Sequence, residues 1–371
     1  MGRMQPMGCD ESSGRHSVVR NVARSHGLRI RWVLPDEYVG ERGMTLQLGS
    51  HGPLVSRWTD VMLRRFRSYA LGVNGLPIKN DGYFGYDEQK VQREYERRTL
   101  QAQDGIVSDR DLGALGLAQP VIFTVEGHMS NMWFGPCADN ARRLQQEGVA
   151  YWQPIGYESN ALPFDNKSGV RELANIIGSA KLPDGTPFPA GTPFGIIGFS
   201  QGAMVVSDFL DQQVLPVGAP LNWRLKDLKR SLCLGNPRRE FGKCAPWADN
   251  PPPLNTGGIM VHREFITTGT ALEAVHRENA NVGDMFAQNT NDKAGWDKEA
   301  IAKIITENSW IGGPAAIFTR VLALLGNVPA EAIPAIKALI SAIMFAASNP
   351  NPHYSTIAEP GDVEFMRGVA S

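Results

Sequence analysis

The pentapeptide Gly198-Phe199-Ser200-Gln201-Gly202 constrains this chain more than any other stretch. It reads G-x-S-x-G, the pattern of a serine held at a sharp turn between a strand and a helix. A serine hydroxyl is a weak nucleophile until it is exposed, held still and placed beside a base. The turn supplies the first two conditions, in a strained backbone that tolerates only small neighbours. Gly198 and Gly202 remove the side chains that would collide with the helix and the adjacent strand. The flanks agree with this reading. Phe194 to Phe199 is a short apolar run, as in a strand buried on both faces. Ala203, Val206, Leu210 and Val214 follow at helical spacing, and Pro216 stops the run.

From residue 121 onward strands alternate with helices. Val121–Val125 reads as a buried strand that opens into the small-residue loop Glu126-Gly127-His128-Met129-Ser130. Val149 to Trp152 reads as a second strand. Asp165 is placed to cap a helix whose Val170, Leu173, Ala174 and Ile177 share one face. Leu228 to Gly235 and Leu272 to His276 read as two more strands. Such alternation predicts a mostly parallel sheet covered on both faces, with active residues at the carboxyl ends of the strands. The predicted fold class is therefore α/β, an α/β-hydrolase. Residues 296–349 read as a helical insertion. Its three apolar faces are Ile301, Ile304 and Ile305, then Ile317, Val321, Leu324 and Leu325, then Ile333, Ile336, Leu339, Ile340 and Ile343. Their apolar content exceeds what three short helices need, so the insertion is expected to border a groove with an apolar wall, an acyl groove if the substrate is an ester of a fatty acid.

The chain has 371 residues, which suits one large domain or two. Its formal net charge of −1 gives no reason to expect a nucleic acid as partner. Cys9, Cys137, Cys233 and Cys244 are widely spaced without a CxxC, so neither a zinc site nor a disulfide framework is indicated. No metal and no cofactor are expected, and the thiols are expected to be buried and free. The first forty residues lack the apolar core of a secretory signal, so synthesis and retention in a cytoplasm are expected until something else opens the membrane. Ala332 to Ala347, broken by Pro334 and Lys337, is too short to span a bilayer. Residues 1–43 show no sustained period and read as a disordered or non-native extension, with Met44 the candidate start of translation.

A nucleophilic serine needs a base, and the base needs a carboxylate to hold it. In this fold the chain order is Ser, then Asp or Glu, then His. His262, His276 and His353 follow Ser200. His353 lies on a late loop beside Pro352 and is chosen over the two that sit in or before a strand. Asp284 follows the Leu272–His276 strand and fits the carboxylate, with Glu278, Asp292 and Asp297 as alternatives. The oxyanion hole needs two backbone N–H groups. One is expected from Gln201, directly after the nucleophile, and the other from Gly127 or His128.

Two family resemblances attach to these residues. In 44–117 the pattern L-x-x-G-S-x-G-x-x-V from Leu46 to Val55 is followed by Asp81-Gly82-Tyr83-Phe84-Gly85, Val91 and Asp104-Gly105-Ile106-Val107. It resembles the peptidoglycan-binding domain of cell-wall hydrolases, which implies a helical unit with peptidoglycan as a partner. Trp58 lies in a helical stripe with Leu54, Val55, Met62 and Phe66 and reads as core, whereas Tyr83 and Tyr86 are candidates for stacking on sugars. From about Pro120 to the C-terminus the chain resembles the mycobacteriophage lysin B family of cutinase-like serine esterases. The matching stretches are Phe123-Thr124-Val125 with Gly127, Trp152-Gln153-Pro154-Ile155-Gly156, Gly198 to Ala203, Gly235-Asn236-Pro237, Gly283-Asp284-Met285, and Pro352-His353 with Val363-Glu364-Phe365. Glu126 and His128 stand where that family usually has a histidine and a threonine. The resemblance implies hydrolysis of the ester between mycolic acids and arabinogalactan. It places the family's catalytic triad on Ser200, Asp284 and His353, in agreement with chain order. The alternatives are a general lipase, cutinase or thioesterase, and a non-catalytic cell-wall-binding protein.

Overall fold

A strand covered on both faces has no polar side to show, and the central strands here show none. In the computed structural model, β1 (Val121–Val125) and β3 (Phe194–Phe199) are buried at every position. The structure describes residues 45–307, 314–326, 333–334, 336–337, 353 and 359–370. The readings of 1–43 and Met44, and of Leu339, Ile340, Ile343 and Pro352, lie outside the described residues. With β2 (Tyr151–Pro154), β4 (Leu228–Leu234) and β5 (His276–Asn279), the two strands form a parallel sheet in the order β2-β1-β3-β4-β5.

Alternation along each strand divides the core into two layers. Val121, Phe123, Val125, Phe194 and Ile196 pack with α5 (Asn166–Ile177) and α6 (Gln201–Phe209). Ile122, Ile197, Phe199, Leu232 and Leu234 face the other way, onto α4 (Pro136–Gln146). The last helix (α9, Pro360–Arg367) adds Val363 and Met366 to that layer. This is the α/β-hydrolase fold. In register, Val125 lies beside Gly198 and Phe199 beside Leu234. The carboxyl ends of β1 and β4 therefore flank the turn that follows β3.

Asp165 caps α5 as expected, its Oδ1 accepting the Ser168 N–H at 3.0 Å. Other boundaries differ from the sequence pattern, for local reasons. Val149 is spent closing α4, its N–H donating to Leu144, so β2 starts two residues later and runs on to Pro154. Leu272 to Val275 is a turn, with the His276 N–H donating to the Leu272 carbonyl at 2.8 Å. Leu272 is fully buried as core filling, and the strand is the polar His-Arg-Glu-Asn that follows. In the insertion, α7 (Lys293–Glu307) starts three residues before 296, because Asp292 Oδ1 accepts the Gly295 N–H at 2.9 Å. Helix α8 (Pro314–Leu325) follows. Ile301, Ile305 and Val321 share a core with Met204 of α6.

Ahead of the sheet, α1 (Pro53–Arg65), α2 (Tyr86–Arg98) and α3 (Asp109–Leu115) enclose a core of their own. Trp58 is fully buried in it, with its ring centroid 5.0 Å from that of Phe84. The two Asp-Gly loops are the same local device. Asp81 Oδ1 accepts the Tyr83 N–H and Asp104 Oδ1 the Ile106 N–H, with Gly82 and Gly105 at φ +74° and +75° between them.

Between β4 and β5 the chain has little regular structure, and Arg239 holds it. The side chain is only 1% exposed. Its guanidinium donates to the carbonyls of Ala287, Lys243 and Thr256 at 2.7, 2.6 and 3.0 Å, joining the loop after β4 to the loop that carries Asp284. Arg239→Met would strand the carbonyls of Ala287 and Lys243, at about 1–3 kcal/mol each for buried unpaired groups, while that of Thr256 keeps the Gly242 N–H. The expected outcome is a loss on the order of 3 kcal/mol, read as a thermal midpoint lower by roughly 4 °C in a chain of this size. An unchanged midpoint would contradict this role.

Candidate active site

Ser200 occupies the turn between β3 and α6 at φ 54° and ψ −119°. Positive φ is costly for a side chain with a Cβ, by about 1–3 kcal/mol, and persists only where the surroundings impose it. Here they do. The Ser200 N–H donates to the Leu234 carbonyl at 2.9 Å, which ties the turn to β4. A methyl on Gly202 would collide with the carbonyl oxygens of Val125 and Glu126, and one on Gly198 would come 2.7 Å from the Gly202 carbonyl. The helix thus passes against the end of β1 with no room for a side chain. Gln201 is the first residue of α6, where backbone N–H groups have no partner within the helix. Gly127 closes the other side; a methyl on it would lie 3.1 Å from Ser200 Cβ.

Asp284 and His353 are 69 residues apart in sequence and meet directly, His353 Nδ1 lying 2.8 Å from Asp284 Oδ2. Both side chains are buried, at 0% and 1% exposure. Asp284 Oδ1 accepts the N–H groups of Phe286 and Ala287 at 2.9 and 3.2 Å, which fixes the carboxylate in its turn. The imidazole sits against two aromatic rings, Phe199 at 4.9 Å and Phe286 at 4.8 Å between centroids. Phe199 immediately precedes Ser200, so the imidazole packs on the residue next to the hydroxyl. A methyl on Gly235, which ends β4, would lie 2.8 Å from His353 Cε1 and 3.1 Å from Asp284 Oδ2. Gly235 was not singled out as a site residue by the sequence pattern, although it stands in the stretch Gly235-Asn236-Pro237.

A small pocket opens beside Ser200 and Gln201. Its walls are apolar, with Phe164, Met204, Ile259, Phe286 and Ala302 among the lining residues. His128 also lines it. His128 Nδ1 lies 2.6 Å from the Ser159 carbonyl, which can only accept, so that nitrogen carries the proton. Burial pulls the His128 pKa down, which leaves the ring neutral at neutral pH.

The other residues weighed from sequence have different partners. His262 is more than half exposed and pairs with Glu299 of α7. His276 Nε2 lies 3.1 Å from Glu278 Oε1 beneath the sheet. Cys233 joins that pair, the three ligand atoms lying within 4.8 Å of one another. Burial pushes the Cys233 thiol well up, so the group is a neutral thiol beside a hydrogen-bonded pair. Asp292 caps α7 and Asp297 pairs with Lys293. Cys137, Cys233 and Cys244 are free thiols. No helix among the described residues is long and apolar enough to cross a membrane.

A parallel sheet, a serine at the strand–helix turn and a buried His–Asp pair next to it define an α/β-hydrolase with the parts for nucleophilic acyl transfer. No protein-family model matches the chain. It is 32% identical over 239 residues to Endolysin B of Mycobacterium phage D29, spanning 62% of this chain and 91% of that protein. It is 30% identical over 264 residues to Endolysin B of Mycobacterium phage L5, spanning 68% of this chain and all of that protein. The crystal structure of lysin B from Mycobacteriophage D29 superposes with a TM-score of 0.53 at 29% identity, covering 67% of this chain and 99% of that one. The chain belongs to the endolysin B, or lysin B, family of mycobacteriophages.

A proton held between imidazole Nδ1 and a buried carboxylate gives a far-downfield proton resonance. That signal is expected from the parent and should vanish in both His353→Ala and Asp284→Ala. It should shift or broaden in Gly235→Ala, whose methyl intrudes on the ring. A signal that survives Asp284→Ala would place the pair elsewhere.

Proposed function

We propose that this chain is a serine esterase that hydrolyses the ester joining mycolic acids to the arabinogalactan of the mycobacterial envelope. The observation that carries the reading is the buried His353–Asp284 pair packed beside the turn that exposes Ser200, in a member of the lysin B family. In the first step His353 Nε2 takes the proton of Ser200 Oγ as the oxygen attacks the ester carbonyl. Asp284 holds Nδ1–H and stabilises the imidazolium that forms. The negative charge on the former carbonyl oxygen is met by the N–H groups of Gln201 and of Gly127 or His128. The carbon–oxygen bond to the sugar breaks, and the sugar hydroxyl leaves with the proton from His353. Water then attacks the acyl-serine with His353 again as base, releasing the fatty acid and restoring Ser200.

The surroundings suit an acyl substrate. The pocket beside Ser200 has an apolar wall, and Ala302 and Thr306 of α7 contribute to it. This supports the reading of the insertion as the border of an acyl groove. The unit 44–117 is proposed as a wall-binding domain with peptidoglycan as its partner. Its separate core and its exposed Tyr83 and Tyr86 support this, since two accessible aromatic rings can stack on sugars. In this reading the protein accumulates in the cytoplasm of the host and acts on the envelope once lysis begins.

The test is release of free mycolic acid from purified mycolated wall. The parent should release it, and should do so in preference to hydrolysing triglyceride. Ser200→Ala and His353→Ala should each lose on the order of 10⁴-fold in rate, with Asp284→Asn close behind. Activity on triglyceride with none on wall would make the protein a general lipase. Binding to wall without turnover of any ester would make it a non-catalytic binding protein.

A further inference from the structure

Glu126 directly follows β1 and precedes Gly127, and the reaction above makes no use of its carboxyl. That carboxyl is only 2% exposed. Oε1 accepts the N–H of Ala138, in the first turn of α4, at 2.8 Å. Oε2 is buried with no hydrogen-bond partner. The main-chain carbonyl of Glu126 accepts the Tyr157 hydroxyl at 2.8 Å. The same carbonyl stands 2.6 Å from where a methyl on Gly202 would be, behind the nucleophile. One residue therefore touches the start of α4, the loop after β2 and the first turn of α6. The next residue in the chain packs on Ser200.

We propose that Glu126 is a positioning residue: its buried carboxyl ties the loop after β1 to the start of α4, and so aims Gly127 and His128 at the oxyanion. The proposal rests on the esterase reading. A movement of the Glu126 backbone passes through a single peptide to Gly127, and N–H donors misplaced by a fraction of an ångström stabilise the transition state less while leaving ground-state binding nearly unchanged.

The Ala138 N–H can donate to this carboxyl in either protonation state; what opposes ionisation is burial. The backbone N–H groups of Ala138 and Cys137 at the N-terminus of α4 favour a carboxylate, but burial opposes it and dominates, pushing the Glu126 pKa up to about 8. Of the charged groups facing it, Asp139 raises the value further and Arg142 lowers it, both from α4. Cys137 of α4 and Tyr157 of the loop after β2 are pushed up by their own burial and stay neutral. The sign follows. The acid keeps its proton through neutral pH and loses it as pH rises through about 8. The carboxylate then needs hydration that the unpartnered Oε2 lacks, so the loop is drawn out of place.

The experiment is the pH dependence of kcat and KM for p-nitrophenyl butyrate. For the parent, kcat should fall on the alkaline side with a midpoint near the about 8 set by this group, while KM changes little. Glu126→Gln keeps a neutral acceptor of the same shape; its kcat at pH 7 should stay within about threefold of the parent and its alkaline fall should disappear. Glu126→Ala loses the tie, and its kcat should drop on the order of tenfold or more with KM within about twofold. A Gln variant that keeps the parent's alkaline fall, or a folded Ala variant with the parent's kcat, would overturn the proposal. If the Ala variant does not fold, the Gln profile decides alone. A parent that hydrolyses no ester at any pH would overturn the esterase reading, and this proposal with it; a parent that hydrolyses ester leaves only Glu126 in question.

Discussion

The left-handed turn at Ser200 is the constraint on which the rest of the site depends. A hydroxyl can stand clear of a parallel sheet only if the chain reverses within one residue, and that reversal forces a backbone angle disfavoured for serine. The strain persists because buried structure surrounds it. β3 is covered along its whole length, β4 accepts the Ser200 N–H, and α6 runs against the end of β1 where no side chain fits. The same close approach sets the first N–H of α6 beside the loop that follows β1. The presentation of the Ser200 hydroxyl and the closeness of α6 to the loop after β1 thus arise from one turn.

The His353–Asp284 pair depends on that arrangement in a second way. A buried carboxylate is costly unless its oxygens are occupied. Asp284 meets this by dividing them, one oxygen on two backbone N–H groups and the other on the imidazole. The ring is then fixed by shape. Phe199 and Phe286 pack against it, and Gly235 leaves space for its edge. The elements concerned come from β3, the end of β4 and the loop after β5. Arg239 binds the last two together from behind through backbone carbonyls.

Much of this was legible in the residues, and the parts that were not have physical reasons. The strands Val121–Val125 and Phe194–Phe199 were readable to the residue because full burial demands a nearly continuous apolar run, with the hydroxyl of Thr124 occupied by the Trp152 indole N–H. β5 was misplaced because it is made of His276, Arg277, Glu278 and Asn279, of which His276, Glu278 and Asn279 are buried polar residues paired to one another and to neighbours. Its apolar preface, Leu272 to Val275, fills the core as a turn. Asp292, weighed as an alternative carboxylate, is an exposed residue that caps α7, a role that leaves no mark beyond the residue type. Chain order picked Asp284 and His353 from several candidates, and the structure brings those two side chains together. Chain order gave no sign of Gly235 or Arg239, whose importance comes from contacts between distant loops. Nor did it show that Glu126 is buried, since a carboxylate after a strand usually faces water.

The central claim is that the hydroxyl of Ser200 is the nucleophile. The most direct measurement is reaction with a fluorophosphonate ester followed by intact mass and peptide mapping. A single adduct on the peptide containing Ser200, formed rapidly by the parent and lost in His353→Ala, is the predicted result. An adduct on another residue, or none with the folded parent, would contradict it.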